Sequence, residues 1–309
     1  MDTTRTGAPP PTFACLWCGR SWTVRAPDDL EGYAKLCPDC LGKAGDNAFL
    51  RFRLRAALEA RAATTATAPA SVPVAEPRVE SAGAAPDDLV AYYTARAAEY
   101  DDWYLRRGRY EHGPIHDAAW NAELDAAGRW LDALPIGGRI VELAAGTGWW
   151  SPLLASKGEL WMTDAAEAPL ERARERLVAH GLRAHLHVRD AWAEPDGTPA
   201  DALFAGFWLS HVERERTRAF LDLAARWLAP AGRIALIDSL ADARSGAVDH
   251  PAPAGDLATR RLADGREFTI VKVFRTPDEI SQALRTAGYV DVEVTTTGRF
   301  FVLATARRA

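Results

Sequence analysis

The sequence predicts a doubly wound α/β domain, built on a mostly parallel sheet and preceded by a small N-terminal zinc-binding module. Three observations carry that expectation. Extended and helical runs alternate from Asp87 onward, all 4 cysteines fall in two CxxC pairs near the N-terminus, and a stretch rich in Ala and Pro separates the two regions. The expected boundaries are residues 1–60 for the module and its trailing helix, 61–86 for a linker and 87–309 for the α/β domain.

In the module, Cys15-x2-Cys18 and Cys37-x2-Cys40 have the spacing of two zinc knuckles, whose paired thiolates reach one tetrahedral ion. Gly19 suits the turn that points amides at the sulfurs, and Pro38 stiffens the second knuckle. A unit this small buries too little apolar surface to fold without a staple, so a structural zinc is expected. "NAFLRFRLRAALEAR" from Asn47 reads as a helix, with Leu50, Leu54 and Leu58 on one face. Up to residue 60 the module has 8 Lys/Arg against 7 Asp/Glu, which is no basic footprint for nucleic acid, despite Arg51, Arg53 and Arg55.

Pro69, Pro73, Pro77 and Pro86 interrupt the linker, which at ~5–6 Å × √n reaches roughly 25 to 30 Å. That reach allows the module to fold back over the large domain or to join a second copy in a homodimer. The chain has 309 residues, 48% hydrophobic and 26% charged, with a formal charge of −5 that attracts no polyanion. No apolar run approaches the ~20 residues that span a bilayer, and the N-terminus lacks the pattern of a secretory signal, so a cytoplasmic protein is expected, with no membrane partner.

In the large domain, "DDLVAYYTARAAEYDDWYLRR" and "AAWNAELDAAGRWLDAL" read as helices. "RIVELAA", "ELWMTD", "AHLHVRD", "DALFAGFWLS" and "GRIALIDS" read as strands with helices between them. Residues 241–258 read as a loop, Asp264-Gly265 as a type I′ hairpin turn, and the region around Gly298 as the turn of a second hairpin. Such sheets bind ligands beyond the carboxyl ends of their strands, where strand order reverses.

The first strand ends in Glu142-x-Ala144-x-Gly146-x-Gly148, and the next ends at Asp164. A dinucleotide fingerprint needs a third glycine, but Trp149, Trp150 and Ser151 follow instead, so a site shaped for something other than pyrophosphate is expected. An acidic residue at the second strand's end suits the two hydroxyls of a ribose.

These residues resemble the Rossmann-like class I S-adenosylmethionine-dependent methyltransferases over residues 87–309, with Ala144 where that family has its first glycine. The segments "AYYTARAAEYDDWYLRRGRYEHG" and "GFWLSHV" look like a group of small actinobacterial methyltransferases. The resemblance implies that Gly146 and Gly148 approach the methionine end of the cofactor, that Asp164 takes the ribose, and that Asp190, Ala191 and Trp192 meet the adenine. By the same resemblance Glu142, Ala144 and Phe207 belong to the cofactor site. Tyr93, Arg96 and Tyr100 form a lid over it, Arg96 toward the cofactor carboxylate. Trp149 and Trp150 are expected to wall the cofactor in.

Ser210-x-x-Glu213 matches a capping box, which puts His211 in the first turn of a helix. There the helix dipole keeps an imidazole neutral, fit to act as general base toward a phenol, enol or ammonium group. The alternative is a structural histidine. The expected activity is methylation of a small aromatic or heteroaromatic metabolite, as in secondary metabolism, at O, N or C. The competing readings are an RNA methyltransferase recognising RNA through the zinc module and a non-methylating enzyme that uses the same cofactor. The acidic balance and the missing N/D-P-P-Y/F tetrad weigh against RNA.

Overall fold

The computed structural model describes residues 12–15, 18–23, 36–43, 87–251, 253 and 255–309. The helix expected from Asn47 and the linker at 61–86 lie outside the described residues. The chain divides into two units, Met1–Ala70 and Ser71–Ala309.

In the first unit, β1 (Thr12–Ala14) pairs antiparallel with β2 (Ser21–Thr23), and Pro38 starts the short helix α1 (Pro38–Gly42). Gly19 takes a left-handed φ of 71° between Cys18 and β2 and donates its amide to the Cys15 carbonyl at 2.8 Å. The Cys37 amide points at the Cys15 sulfur at 3.2 Å.

Among the described residues, the second unit begins with α2 (Asp87–Arg96), α3 (Tyr100–Leu105) and α4 (Pro114–Ala133). The single helix expected up to residue 107 is thus broken at 97–99. Trp120, Leu124, Ala127 and Leu131 form the buried stripe of α4 at helical spacing. Then come β3 (Gly138–Leu143), α5 (Ser151–Ala155), β4 (Gly158–Asp164), α6 (Glu167–Ala179), β5 (His185–Val188) and β6 (Ala200–Gly206). After these lie α7 (Thr217–Trp227), β7 (Leu228–Ser239), the hairpin β8 (Leu257–Arg261) and β9 (Glu267–Val271), α8 (Pro277–Thr286), β10 (Tyr289–Thr296) and β11 (Phe301–Arg308).

Seven strands form the main sheet in the order β10-β11-β7-β6-β3-β4-β5. The five from β7 to β5 are parallel, and β11 runs antiparallel to both its neighbours. Both faces are buried, which is why the strands read as continuous apolar runs. Val141, Leu143, Leu203 and Ala205 point into one core cluster, while Ile140, Ala202 and Phe204 point into the other. Strand order reverses between β3 and its neighbours β4 and β6, so a crevice opens at their carboxyl ends.

Two local expectations are corrected. Ser210 caps no helix: it lies in a 3₁₀ turn at Leu209–His211, and α7 starts only at Thr217. Tertiary partners have taken over its polar groups, because its amide donates to Asp238 at 2.7 Å and its hydroxyl accepts from Lys272 at 2.7 Å. The β8–β9 turn is also not a two-residue type I′ turn. Leu262 and Arg266 pair across it at 2.9 Å, and Gly265 takes φ 90°. The helix α8, by contrast, carries a true capping box, with Thr276 and Glu279 each bonding the other's amide.

Candidate active site

The loop leaving β3 enters the left-handed region at Ala144 (φ 51°), Gly146 (φ 56°) and Gly148 (φ 69°). The three positions meet different needs. A methyl group added at Gly146 would find only the Tyr100 ring, at 3.7 Å, so this glycine keeps backbone open toward the crevice. One added at Gly148 would stand 2.7 Å from the Ala173 Cβ, so that glycine lets the loop pack on α6. Ala144 holds its left-handed conformation in spite of a Cβ, at a cost of roughly 1–2 kcal/mol.

Asp164 ends β4 with one carboxylate oxygen accepting the Gly146 amide at 2.8 Å and the other accepting the Ala166 amide at 2.8 Å. Burial pushes its pKa up to about 6, against the pull of these two amides and with a further push from Asp190. Each oxygen keeps a second lone pair for a ligand hydroxyl. Glu142 points into the core, 2% exposed, and accepts from the Ser151 hydroxyl at 2.6 Å. Burial drives its pKa up to about 8, and the nearby Asp164 adds to the rise.

Two cavities meet over this loop. The first is a cleft lined by Leu89 and Val90 of α2, by Ala144, Gly146, Asp164 and Ala191, and by Gly206 at the end of β6 and Trp208 beyond it. The second is a chamber of about 700 Å³ between α2, the 241–251 loop and the β8–β9 hairpin. Tyr93, Tyr100, Phe207 and His211 line both. Phe207 takes φ 59°, a conformation rare for an aromatic residue, and so turns its ring out of β6 into the shared wall.

His211 is buried beneath that wall. Its Nδ1 lies 2.7 Å from the Val271 carbonyl, which can only accept, so Nδ1 carries the proton. Nε2 then accepts from the Tyr93 hydroxyl at 2.7 Å. The imidazole is held neutral, its pKa well below the ordinary value, by burial first and then by Lys272, Arg260 and Arg96. The helix dipole expected from the sequence plays no part, because no α-helix begins there.

The chamber carries an unusual charge. Arg96 is 7% exposed and has no carboxylate partner among the described residues. Instead the rings of Tyr100, Tyr92, Tyr110 and Tyr93 surround its guanidinium, at 4.5, 5.5, 5.7 and 6.0 Å from their centroids. Such contacts give ~0.5–2 kcal/mol each, against several kcal/mol for removing the charge from water. Lys272, 9% exposed, sits 3.9 Å from Asp238, and burial lowers its pKa to about 8, with Arg260 and Arg96 pushing the same way.

Of the cofactor residues expected from the sequence, Tyr93, Tyr100, Ala144, Gly146, Asp164, Ala191 and Phe207 line the cleft. Arg96 lines the chamber instead, and Glu142, Gly148, Asp190 and Trp192 line neither cavity. Asp190 turns back to accept the Trp192 amide at 2.8 Å. Trp149 and Trp150 do not wall the cleft: Trp149 stacks on Tyr104 at 4.2 Å, and Trp150 is buried against Gly206. Sequence reasoning missed Arg260 and Lys272, which the hairpin brings in from far along the chain. The N-terminal helices and the 241–251 loop also come together at the chamber. They meet through Trp103, whose indole donates to the Ser245 carbonyl at 2.6 Å, and through Arg109, whose carbonyl accepts the Val248 amide at 2.8 Å.

In the first unit, the four cysteine sulfurs lie within 4.8 Å of one another, with Cys18 and Cys37 at 3.6 Å. Metal–sulfur bonds of ~2.3 Å in a tetrahedron set their sulfurs ~3.8 Å apart, so the cluster has the size of a tetrahedral metal site. Burial, followed by the neighbouring cysteines, raises the Cys40 thiol pKa, and burial also raises that of Cys18. A bound dication reverses that penalty.

A methyltransferase-domain family matches residues 140–232, the span from β3 into β7. No curated protein matches the chain. Among solved structures, a DhpI–SAH complex is 30% identical, with the match covering 72% of this chain and 96% of that one at a TM-score of 0.56. The chain belongs to the S-adenosylmethionine-dependent methyltransferases. A DhpI–SAM–HEP complex matches this methyltransferase over the same shares, 30% identical with a TM-score of 0.57. A Burkholderia thailandensis 1,6-didemethyltoxoflavin-N1-methyltransferase is 16% identical over 75% of the present enzyme and 93% of its own chain, with a TM-score of 0.49. In the methyltransferase, the residues of the cleft, about 40 Å³ as it stands, suit the cofactor in kind: an open glycine loop at Gly146, a part-buried carboxylate at Asp164 and an apolar wall at Leu89, Val90 and Ala191. No helix among the described residues is long and apolar enough to cross a membrane.

Proposed function

We propose that the enzyme methylates a small molecule held in the chamber, with the cofactor in the adjoining cleft. The observation that carries this reading is the wall common to both cavities, formed by Tyr93, Tyr100, Phe207 and His211. S-adenosylmethionine supplies an electrophilic methyl group on a sulfonium centre. The residues of this chain align the acceptor and exclude water, the main demands of an in-line displacement. A volume of about 700 Å³ suits a metabolite, and the rings of Tyr92, Tyr93, Tyr100 and Tyr110 suit a flat aromatic or heteroaromatic group.

Asp164 takes the ribose hydroxyls, Gly146 admits the methionine end, and Ala191 faces the adenine. His211 serves as the base, but through Tyr93: the acceptor's proton passes to the Tyr93 oxygen as the Tyr93 proton passes to His211 Nε2. The four cysteines of the first unit hold a structural zinc, since four thiolates leave no open position for substrate.

The test is transfer of label from methyl-labelled S-adenosylmethionine into fractionated cell extract. Label in the small-molecule fraction is expected. Label confined to RNA or protein would overturn the reading.

A further inference from the structure

We infer that Arg96 and Arg260 form a binding site for an oxyanion, a carboxylate or phosphoryl group carried by the methyl acceptor. The inference rests on the chamber being the acceptor site. It follows from a charge inventory of the walls. The cations are Arg96 on α2, Arg260 on β8, Lys272 after β9 and Arg244 on the 241–251 loop, with His112, His211 and His250 as titratable neighbours.

Among the described residues, no nearby carboxylate pairs with Arg96 or Arg260. Asp242, the one acid in the chamber lining, takes Arg299 at 2.6 and 3.1 Å and the Arg244 amide at 2.7 Å. Asp238 accepts the amides of Ser210 and Ser239, each at 2.7 Å, and faces Lys272 at 3.9 Å. Asp249 is bound by Arg109 at 2.6 and 2.7 Å. Glu99, on the turn after α2, accepts the Ala263 amide at 3.1 Å through one oxygen while the other is buried without a hydrogen-bond partner, and it forms no ion pair with Arg96 or Arg260.

Arg96 is left with ring faces alone, and its Nε has no hydrogen-bond partner. Among the described residues, Arg260 has only the Thr259 carbonyl, at 3.3 Å. Burial and the nearby Arg96 both lower the pKa of Arg260, the mark of two like charges brought together without a counterion. A guanidinium presents a planar fork of donors matched to two oxygens of a carboxylate or phosphoryl group. Two such forks facing one cavity therefore select an acceptor that brings the missing negative charge with it. Lys272, its ammonium held on the Ser210 hydroxyl at 2.7 Å, adds a third positive charge close by.

Inorganic phosphate and benzoate are the probes, titrated into the full chain by calorimetry with and without saturating S-adenosylhomocysteine. At least one should bind with a dissociation constant of about 1 mM or tighter. Preference between them tells a phosphoryl from a carboxylate acceptor. Arg260→Gln should weaken binding by about tenfold or more, while Arg260→Lys, which keeps the charge, recovers part of it. If Arg260→Gln does not fold, Arg260→Lys and the unaltered protein carry the test. Failure of both probes to bind, or equal binding by the Arg260 variants, would overturn the site. Loss of anion binding when S-adenosylhomocysteine is present would also overturn it, by assigning the arginines to the cofactor's carboxylate. Because binding is read without turnover, an intact anion site in an enzyme that labels no small molecule would sink the small-molecule reading and leave the site standing.

Discussion

The Tyr93 hydroxyl donates to His211 Nε2 at 2.7 Å, so the basic atom of the histidine is already taken up by the tyrosine. Tyr93 also lines both cavities. Burial, and Tyr100 beside it, hold its own pKa well above the ordinary value, so it does not ionise alone and needs His211 to take its proton.

Tyr93→Phe and His211→Ala are therefore each expected to lower turnover by about 10²-fold or more, and the double variant by no more than the worse single. Rates with a labelled acceptor decide this. Multiplying losses would show two independent roles. The pH profile should be flat above neutrality and fall only on the acid side, because the base must be neutral and His211 stays so to well below its ordinary 6.5.

Cofactor affinity should depend on Asp164. Its carboxylate is ionised above about pH 6, and only the ionised form accepts a bond from each ribose hydroxyl with full strength. Affinity for S-adenosylhomocysteine is expected to hold from pH 7 to 8 and to weaken as pH falls through about 6. Asp164→Ala should weaken binding by roughly tenfold to a hundredfold at pH 7.5. Calorimetry that found no change would remove Asp164 from the site.

The loop glycines are separable by mutation. Gly148→Ala forces a Cβ to 2.7 Å from that of Ala173 at a left-handed position, so a loss of about 2–4 kcal/mol is expected. Ala144→Gly removes a Cβ from a left-handed position and should leave stability equal or raise it by up to about 1 kcal/mol. Thermal melts of the two variants test both signs.

The parts of this site legible in the sequence are those made by one strand and the turn that follows it. Gly146 and Asp164 are such residues: a short stretch of chain dictates where they sit. Ser210 shows where that logic fails. Its capping-box spacing is real, but Asp238 and Lys272, 28 and 62 residues away, outcompete the local cap. Trp149 and Trp150 failed for another reason, since a left-handed loop re-aims the side chains after it and spacing gives no hint of their direction. Arg260 and Lys272 carry no motif. They reach the chamber wall only because the β8–β9 hairpin packs against α2, a contact that no local pattern encodes.

Stability should vary with pH through Glu142. In the folded protein its proton is held up to about 8, whereas the unfolded chain releases it near the ordinary 4.5. Below 4.5 both states are protonated. From there to about 8 the unfolded state binds fewer protons, so stability falls as pH rises, by at most ~1.4 kcal/mol per unit. Glu142→Gln keeps an acceptor for Ser151 without the charge. Its melting temperature should match the parent below about pH 4.5 and exceed it by a margin that widens as pH rises to about 8, roughly 2–4 °C per kcal/mol. Parallel curves for the two proteins would show that Glu142 does not titrate in this range.

The cysteine cluster gives the last expectation. Four sulfurs within 4.8 Å, approached by the Cys37 amide and turned by Gly19, have the size and second shell of a closed tetrahedral site. One zinc per chain is expected by elemental analysis, and cobalt put in its place should show the strong visible bands of a tetrahedral thiolate site. Cys37→Ser removes one of the four sulfur ligands, so metal content should fall well below one. Four thiolates would fill every position of such an ion and leave it no part in methyl transfer. S-adenosylhomocysteine affinity should accordingly be unchanged in Cys37→Ser, and the melting of the Ser71–Ala309 unit likewise. A Cys37→Ser protein that keeps its zinc would show that the cluster is not the site. One that loses its zinc and its cofactor affinity together would show that the two units work as one.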